Sequence, residues 1–415
     1  MPSVNFQSFN SHSGEYDVVV IGGGILGLST AMQLGQRYPS VKVAVVEKEV
    51  SLATHQTGHN SGVIHSGIYY RPGSWKSRFC VAGVQKLVQF CDENEIEYAR
   101  CGKAIVATHQ SELGRLEDLY QRGVANGVTG LELVGPERLR EIEPHTVGVR
   151  ALWAPNTGIV DYVKVANAYA FRFQQAGGDI FTGAPVHGVA PSGDALAVET
   201  SQGTLIARNI INCAGLYADR VARMTGEKTQ VQIIPFRGEY YTLRPESRHL
   251  VRGLIYPVPD PRFPFLGVHY TRNIHGGVEA GPNAVLAWAR EGYTKSSFNL
   301  GETLGAVTFP GFWKMSMKHW KTGMSEMHRS YSKNVFVKDL QKLIPEIRAE
   351  DLASGGAGVR AQAVDRNGAL LDDFSILRGR NAVHVLNAPS PGATSSLAIG
   401  EHLVGLAVEA FGIST

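Results

Sequence analysis

The stretch Asp17-Val-Val-Val-Ile-Gly-Gly-Gly-Ile-Leu-Gly-Leu-Ser-Thr-Ala31 decides the fold of this 415-residue chain. Its composition indicates a buried strand, a glycine turn and the first turns of a helix. Gly22, Gly24 and Gly27 have the G-x-G-x-x-G spacing, in which they permit a tight turn, close approach of the backbone to a pyrophosphate and close packing of helix on strand. The unpaired N–H groups and positive dipole end of the helix attract the phosphates. The stretch therefore predicts a dinucleotide site.

A second apolar strand, Val41-Lys-Val-Ala-Val-Val-Glu47, supports this prediction. Its acid comes twenty residues after Gly27, where a carboxylate can accept both ribose hydroxyls of an adenosine. The alternative is a glycine-rich turn with a surface Glu. We favour the dinucleotide site, because strand, glycines, helix and acid occur together in the expected order.

Composition limits the classes of protein to consider. A chain of this length with 43% apolar residues can bury two cores, so two domains are expected. The net charge of +3 gives no argument for a nucleic-acid partner. Four cysteines without a C-x-x-C pair predict neither a disulfide framework nor a metal site. No apolar run is long enough to span a membrane, and residues 1–16 lack the Lys or Arg of a secretory signal or mitochondrial presequence.

The remaining periodicities predict alternating helices and strands. Residues 51–70 are too rich in glycine and polar groups for a packed helix. We interpret them as a loop that lines the phosphate and ring of the ligand. The alternative, a solvated surface loop, would expose Ile68-Tyr-Tyr70 without reason. Helices are predicted over 76–94, 111–126, 136–142, from an Asp161 N-cap to Gly177, over 309–344, and from within 394–400 onward. Strands are predicted over 104–107, 179–182, 196–200 and 205–209, with mostly antiparallel strands over 231–308.

Glycine-containing strand ends recur near the middle, at Asn212-Cys-Ala-Gly215, and near the C-terminus, which indicates a discontinuous FAD domain. The chain resembles the FAD-dependent D-amino-acid oxidase and glycerol-3-phosphate dehydrogenase superfamily, and within it the L-2-hydroxyglutarate dehydrogenase family. The resemblance extends from about residue 16 to 411. The motifs that carry it are His59-Asn-Ser-Gly-Val-Ile-His-Ser-Gly-Ile-Tyr-Tyr70, Pro235-Phe-Arg-Gly-Glu-Tyr-Tyr241, Gly281-Pro-Asn-Ala284, Gly356-Ala-Gly-Val-Arg360 and Asn387-Ala-Pro-Ser-Pro-Gly-Ala-Thr-Ser-Ser396.

The resemblance implies an α/β and α+β architecture: a Rossmann-like FAD-binding domain interleaved with a substrate domain that has a mixed or antiparallel sheet. We expect the FAD-binding domain to comprise residues 16–80, 150–230 and 350–415, and the substrate domain 81–149 and 231–349. The implied cofactor is FAD. The expected cofactor-binding residues are Gly22, Gly24, Ile25, Leu26, Gly27, Glu47, Lys48, Asn60, Ser61, Gly62, Val186, Ala214, Gly215, Gly392, Thr394, Ser395 and Ser396.

Oxidation of an alcohol beside a carboxylate requires a base and a carboxylate clamp in addition to a hydride acceptor. His65 in the ring-lining loop and His269 on a substrate-side strand are the candidate bases. Arg360 stands where related oxidases place the arginine that grips the substrate carboxylate. Each histidine could instead have only a structural role. For the second carboxylate of a diacid the candidates are Tyr241, Tyr270 and Arg290, with Thr394 as a further substrate contact.

The family also implies L-2-hydroxyglutarate as substrate, 2-oxoglutarate as product, and a mitochondrial location. No motif names the electron acceptor, for which a quinone and a carrier flavoprotein are candidates. The N-terminal residues give no support for that location. Two alternatives remain open: a related flavoenzyme that acts on an amino acid or glycerol phosphate, and a non-catalytic flavoprotein.

The segment Phe309–Met324 has Trp313, Met317, Trp320 and Met324 on one helical stripe, beside Lys314, Lys318 and Lys321. We expect this stripe to pack on the substrate domain, as most apolar stripes do. The alternative is a peripheral contact with an anionic membrane, for which tryptophans beside lysines are typical.

Overall fold

The computed structural model describes residues 4–9, 14–260 and 266–414 of the chain. Helices α1 to α10 comprise Ile25–Arg37, Trp75–Glu93, Leu113–Ala125, Pro136–Ile142, Tyr162–Gln175, Ala218–Met224, Leu300–Val307, Pro310–Tyr331, Lys333–Leu340 and Ser396–Phe411. Strands β1 to β20 comprise Glu15–Ile21, Val43–Val46, Val63–Ile64, Tyr98–Ala99, Lys103–Ala107, Glu132–Val134, Arg150–Ala154, Gly158–Val160, Asp179–Phe181, Val186–Ser192, Ala195–Thr200, Gly203–Asn212, Val231–Leu243, Leu254–Pro257, His269–Arg272, Val278–Gly281, Val285–Leu286, Leu352–Asp365, Ser375–Arg378 and Ala382–Asn387.

The first sheet is built around the strand of the glycine stretch. β1 pairs in parallel with β2 and with β12, and further parallel pairs join β2 to β9 and β12 to β20. The β10 and β11 strands extend it as an antiparallel hairpin. Alternate residues of β1 enter different cores: Val18 and Val20 pack beneath α1 and α5, while Val19 and Ile21 pack on the opposite face. Burial on both faces explains the unbroken apolar run.

The second sheet is mostly antiparallel and has the order β17-β13-β16-β15-β14-β5-β7-β6, with β18 paired along nearly all of β13. One face carries a core covered by α9 and α4, which contains Tyr270, Phe336 and Leu139. The other face carries a second core that contains Ile105, Leu254 and Tyr256 and turns toward the first sheet. A small sheet of β3, β8 and β4 also forms.

The predicted helices and strands are found within a few residues of the expected bounds, except over residues 300–307. Asp161 is the N-cap of α5, where its carboxylate accepts from the N–H groups of Val163 and Lys164. Residues 300–307, predicted as strand, form α7, whose N-cap Asn299 accepts from the Glu302 N–H. The Asn side chain therefore starts a helix where glycine and proline turns had indicated further strands.

The predicted domain bounds differ from the observed sheets in three places. β7 and most of β18 lie in ranges assigned to the FAD domain, yet both belong to the second sheet. The part of α2 beyond residue 80 was assigned to the substrate domain, but Leu87, Phe90 and Cys91 pack in the core of the first sheet. Pairing and packing between residues far apart in sequence decide which sheet each segment joins. The local sequence pattern contains no information about this.

The stripe on α8 does not pack on the substrate domain, which corrects the expectation from the sequence. Trp313, Met317, Trp320 and Met324 are 54%, 68%, 56% and 65% exposed. The buried side of α8 is formed instead by Phe312 and Met315, which pack on β13 and β18. Within the described residues, no helix has both the length and the apolarity needed to cross a membrane.

Candidate active site

A cavity of about 1760 Å³ lies where the two sheets meet. Typical small-ligand pockets measure roughly 300 to 1,000 Å³, so this cavity has room for a cofactor and a substrate together. Its lining combines the glycine turn, the loop over 53–74, the segment over 213–224, residues of the second sheet and the segment over 385–394. The site is therefore assembled from parts that are far apart in sequence.

The three motif glycines have distinct surroundings at one end of the cavity. Gly22 has a φ of +115°, and a Cβ there would lie 2.5 Å from the Cys213 carbonyl oxygen. A Cβ on Gly27 would lie 2.0 Å from the Gly22 oxygen, so this glycine permits close packing of helix and strand. A Cβ on Gly24 would meet only the Thr57 hydroxyl, at 3.3 Å, and would otherwise project into space. That open space over a helix N-terminus fits a pyrophosphate.

Thr57 is a residue of this turn that the sequence did not reveal. Its hydroxyl oxygen accepts a hydrogen bond from the Ile25 N–H at 3.0 Å, and its side chain is buried. The ring-lining loop is thereby attached to the first turn of α1. A threonine within a Gly- and Ser-containing loop carries no distinguishing signal, because the contact spans 32 residues.

Glu47 lines the cavity, but its carboxylate already serves the protein backbone. One oxygen accepts from the Gly23 N–H at 2.7 Å and the other from the Glu49 N–H at 2.9 Å. Each carboxylate oxygen can accept a further hydrogen bond, so a ribose contact remains available. Glu47 therefore shapes the glycine turn in addition to its predicted role.

Lys48 lies beside a small acidic cluster at the same end of the cavity. Its ammonium pairs with Glu49 and, at 2.6 Å, with Glu291. His55 pairs with Glu49 at 2.9 Å and stacks near Tyr293. Glu49, His55 and Glu291 are close enough to one another to ligate an ion, but the Lys48 ammonium already pairs with both carboxylates.

Most of the predicted cofactor residues line the cavity, and four do not. The lining ones are Gly22, Gly24, Ile25, Leu26, Glu47, Lys48, Asn60, Ser61, Val186, Ala214, Gly215, Gly392 and Thr394. The four exceptions are Gly27, Gly62, Ser395 and Ser396. Gly62 adopts a φ of +66° against the Val160 carbonyl, and Ser396 lies beneath the surface, 3.1 Å from the Tyr169 hydroxyl. These residues shape the backbone behind the lining.

Thr394 connects the C-terminal segment to the ring-lining loop. Its hydroxyl accepts from the His65 N–H at 3.1 Å, lies 2.8 Å from the Tyr162 hydroxyl, and donates to the Val63 carbonyl at 3.2 Å. The side chain is 1% exposed, so these protein contacts use its hydrogen-bonding capacity. Thr394 therefore positions His65, and the structure gives no support for a direct substrate contact by its hydroxyl.

His65 and His269 both line the cavity, and both are neutral at pH 7. The His65 Nδ1 is buried without a hydrogen-bond partner, and its Nε2 lies 3.3 Å from the Ser390 hydroxyl. The His269 Nδ1 lies 2.8 Å from the Gly267 carbonyl, which can only accept, so Nδ1 carries the proton and Nε2 keeps a free lone pair. Burial lowers the pKa of His65 well below its usual range and that of His269 to about 3.

Arg360 enters the cavity from β18 beside this pair. Its charge contributes, after burial, to the lowered pKa of His269. The rings of Tyr240 and Tyr256 line the same region, and the Tyr256 ring stacks on His269 with centroids 3.8 Å apart. The cavity thus brings together a guanidinium and two neutral imidazoles, which is the set required to hold a carboxylate and accept a proton.

Tyr241, Tyr270 and Arg290, predicted to hold the second carboxylate, do not line the cavity. Tyr241 and Tyr270 face the opposite core, where the Tyr270 hydroxyl donates to the Leu340 carbonyl at 3.2 Å. Arg290 is buried in an ion pair with Asp219. These predictions were wrong about position.

Strand register explains the error for the tyrosines. Strand pairing places Tyr241, Ala280 and Tyr270 side by side, so their side chains lie on one face of the sheet. One residue further along β15, His269 is paired with Gly281. Since side chains alternate along a strand, the neighbours Tyr240 and His269 face the cavity. Tyr240 and Tyr256 were therefore missed as lining residues, whereas Tyr69 and Tyr70 lie in the loop that was predicted to line the site. The alternation of side chains along β13 could have indicated Tyr240.

Comparison with known proteins identifies the family to which this arrangement belongs. The model of the FAD dependent oxidoreductase family matches residues 17–406. An L-2-hydroxyglutarate dehydrogenase from Indibacter alkaliphilus is 52% identical over 96% of this chain and 100% of its own length. The chain belongs to the L-2-hydroxyglutarate dehydrogenase family of FAD-dependent oxidoreductases. Two further relatives have this activity in their names. The mitochondrial protein from Homo sapiens is 44% identical over 94% of this chain and 88% of its own length. The protein from Escherichia coli is 47% identical over 94% of this chain and 92% of its own length.

Solved structures show the same fold. An L-alpha-glycerophosphate oxidase from Mycoplasma pneumoniae with FAD bound covers 97% of this chain and 96% of its own, with a TM-score of 0.77 at 23% identity. A glycine oxidase from Geobacillus kaustophilus covers 95% of each chain, with a TM-score of 0.70 at 17% identity. The predicted fold class, the FAD cofactor and the assignment as an enzyme are confirmed.

Proposed function

We propose that the protein oxidises L-2-hydroxyglutarate to 2-oxoglutarate. The observation that supports this most directly is the convergence of Arg360, His65 and His269 on a cavity that begins at the dinucleotide turn. The substrate itself is suggested by the names of relatives 44% to 52% identical over nearly the whole chain.

In this proposal Arg360 grips the carboxylate beside the reacting carbon, since a guanidinium fork matches a carboxylate with two parallel hydrogen bonds. The hydroxyl proton passes to the imidazole of His65 or His269, both of which are neutral and able to accept it. The C–H bond breaks with its electron pair as the C=O bond forms. The FAD, when bound, supplies the hydride acceptor, flavin N5.

Anaerobic mixing of the holoenzyme with L-2-hydroxyglutarate tests the proposal. We expect the flavin to be bleached by this enantiomer and not by D-2-hydroxyglutarate. A flavin that no 2-hydroxy acid reduces, or one reduced better by an amino acid or glycerol phosphate, would contradict the proposal and favour the alternatives left open by the sequence. His65→Ala and His269→Ala, compared in the same assay, identify the base, whose loss costs about 10² to 10⁴ in rate while FAD remains bound.

The electron acceptor is a separate proposal, for a quinone or a carrier flavoprotein. Reoxidation of the substrate-reduced enzyme by a soluble quinone, measured against oxygen alone, tests the first. If quinone reoxidises the flavin no faster than oxygen does, a carrier flavoprotein becomes the expected acceptor.

We also propose that the exposed surface of α7 and α8 contacts an anionic membrane. Leu300 and Leu304 of α7 are 62% and 51% exposed, and the Trp313 indole of α8 donates to the Val307 carbonyl of α7 at 2.7 Å. Further exposed apolar side chains along α8 are Met317, Trp320, Met324, Met327 and Tyr331. Lys314, Lys318 and Lys321 border them, and this combination of apolar and cationic side chains matches an anionic bilayer surface.

Flotation with anionic and neutral liposomes tests the membrane contact. The Trp313→Ser, Trp320→Ser double variant is expected to fold, because both rings are more than half exposed, and to lose binding to anionic vesicles. A Val50→Ser, Val124→Ser double variant removes two exposed apolar side chains elsewhere and should float as the native protein does. Native protein that stays at the bottom with both liposomes would refute the contact.

The mitochondrial location remains a proposal. Relatives from Homo sapiens, Bos taurus and Caenorhabditis elegans have mitochondrial in their names, whereas bacterial relatives from Indibacter alkaliphilus and Escherichia coli do not. Fractionation of the source cells, with immunodetection of the protein, tests it.

A further inference from the structure

Lys103 is a buried lysine beside the active site, and no step of the proposed reaction uses it. Its side chain is 1% exposed. The ammonium lies 4.1 Å from the centre of the Tyr256 ring and 5.3 Å from that of Tyr69. Among the described residues, no carboxylate pairs with it. An uncompensated buried ammonium is costly to keep, because desolvation disfavours its charge.

The second sheet fixes the position of Lys103 relative to His269. β14 lies between β5 and β15, and Leu254 of β14 is paired with Lys103 on one side and with Thr271 on the other. Two residues along, Tyr256 stands on the same face of the middle strand, with its ring stacked on His269. Lys103 and His269 therefore approach the Tyr256 ring from the neighbouring strands on its two sides. The Tyr256 ring lies against both of them.

Within the part of the chain that the structure describes, the acidic groups whose charge acts on Lys103 are two thiols, and neither is an anion at neutral pH. Burial raises the pKa of the Cys80 thiol far above neutrality and that of Cys101 to about 11, so both thiols are neutral. Tyr69 and Tyr256 are neutral for the same reason. Among the described residues, His65 and His269 also lie near it and are neutral. Glu143 and Arg272 act on the neighbouring Cys101, but the Glu143 carboxylate accepts from the N–H groups of Arg252 and Gly253.

Burial also lowers the pKa of Lys103 to about 7, so that its charge depends on its environment. The charged form lowers the pKa of His65 and of His269, in each case less than burial does. A dicarboxylate that enters the cavity would place negative charge near an ammonium that pairs with no carboxylate of the described residues, and the lysine would take up a proton as the anion binds.

We propose that Lys103 is a positioning residue for the anionic substrate: it acts through Tyr256 and supplies positive charge behind the inner wall of the cavity when a dicarboxylate binds. The inference rests on the proposed function. It accounts for a lysine that has an aromatic ring where an ion-pair partner would be expected.

Calorimetric titration of the holoenzyme with 2-oxoglutarate between pH 6 and 9 tests the inference without requiring turnover. In the native protein the affinity should fall as pH rises above about 7, because the free enzyme loses the Lys103 proton there. Titrations at pH 8 in buffers of different ionisation enthalpy should show uptake of a fraction of a proton approaching about one.

Lys103→Met removes the charge and keeps an unbranched apolar chain, and replacing buried ionic groups by apolar groups of similar volume is often neutral or stabilising. This variant should bind 2-oxoglutarate roughly tenfold or more weakly at pH 6, with no inflection near pH 7 and no proton uptake. Lys103→Arg keeps the charge at every pH and should bind without the inflection. Lys333→Met is the matched control, since Lys333 also lies over a tyrosine ring in this sheet, 5.6 Å from the centre of Tyr241 on the face away from the cavity.

The outcomes separate this inference from the proposed function. A native holoenzyme that binds no 2-oxoglutarate at any pH would overturn both. Native binding with an unchanged affinity, pH profile and proton uptake in folded Lys103→Met would overturn the inference and leave the proposed function standing. If Lys103→Met fails to fold, the native protein and Lys103→Arg still decide the matter. Binding by the native protein without proton uptake at pH 8 would overturn the inference. Proton uptake by the native protein that disappears in Lys103→Arg would support it.

Discussion

Arg360 is the residue on which substrate binding should depend most directly. Its side chain enters the cavity beside His269, on a strand that is paired along nearly all of β13. Arg360→Lys should raise the Kd for L-2-hydroxyglutarate about tenfold or more, because an ammonium cannot reproduce a bidentate fork. The rate of flavin reduction at saturating substrate, measured anaerobically by stopped flow, separates binding from chemistry.

Arg366→Lys is the matched control, because Arg366 is an exposed arginine just beyond the same strand. Its Kd should equal that of the native enzyme. An equal Kd for Arg360→Lys as well would move the carboxylate clamp to another residue.

His269 should make the apo-protein sensitive to acid. Its pKa is about 3 in the folded state and 6.5 at its ordinary value. Between these pH values the unfolded chain binds more protons, so the free energy of unfolding falls as pH falls from 6.5 toward 3. His269→Gln should flatten this dependence in urea unfolding of the apo-protein between pH 4 and 7. His249→Gln, which alters an exposed histidine, should not, and equal slopes in both variants would argue against the buried neutral imidazole.

At the scale of elements, the glycine turn separates cofactor binding from folding. A Cβ at Gly24 projects into open space, whereas one at Gly27 collides with the Gly22 carbonyl. Gly24→Ala should therefore unfold at nearly the same urea concentration as the native apo-protein while it binds FAD more weakly. Gly27→Ala should destabilise the apo-protein itself. Fluorescence titration with FAD and urea unfolding of both apo-variants measure the two effects, and a shared loss of stability would contradict the distinction.

The start of α5 offers a second prediction at this scale. Asp161 accepts from two N–H groups of the first turn and also lies 3.3 Å from His275. Asp161→Ala should lower the free energy of unfolding by about 1 kcal/mol, the usual cost of a lost N-cap. Asp161→Asn keeps the cap and should lose less. Similar losses in both variants would show that the His275 contact matters more than the cap.

At the scale of the whole molecule, the cavity joins the two sheets. Its lining includes Gly24 and Glu47 from the first sheet and Tyr240, His269 and Arg360 from the second. FAD should therefore stabilise the molecule as a unit, by about 2.7 kcal/mol at a free concentration of 100 times its Kd. Calorimetry of the apo- and holo-proteins should show one transition that moves upward with FAD. Two transitions, of which FAD moves only one, would mean that the sheets unfold independently.

Much of the fold could be predicted because its signals are local. The glycine spacing, the apolar strands, the Asp161 N-cap and the helix bounds are written in a few adjacent residues each. The motifs His59–Tyr70 and Asn387–Ser396 likewise identified the family, since they depend on residue order alone. His65 came from the first of these motifs and Arg360 from the motif Gly356–Arg360, whereas His269 was predicted only from the need of the reaction for a base.

The α8 stripe shows where such local reasoning fails. A period of 3.6 residues reveals that one helical face differs from the other, but it does not say what that face contacts. In the structure, the neighbours Phe312 and Met315 turn toward β13 and β18, which leaves Trp313 and Trp320 exposed.

By itself, the sequence determined the cofactor class, most of the helices and strands, and the residue types that the proposed chemistry needs. Only the tertiary structure decided which of two adjacent tyrosines faces the cavity, that Arg290 pairs with Asp219, and that Lys103 lies behind Tyr256. The physical reason is register. A shift of one residue in the pairing of β13, β15 and β16 would exchange the two faces of the sheet, and that register is fixed by packing between residues distant in sequence.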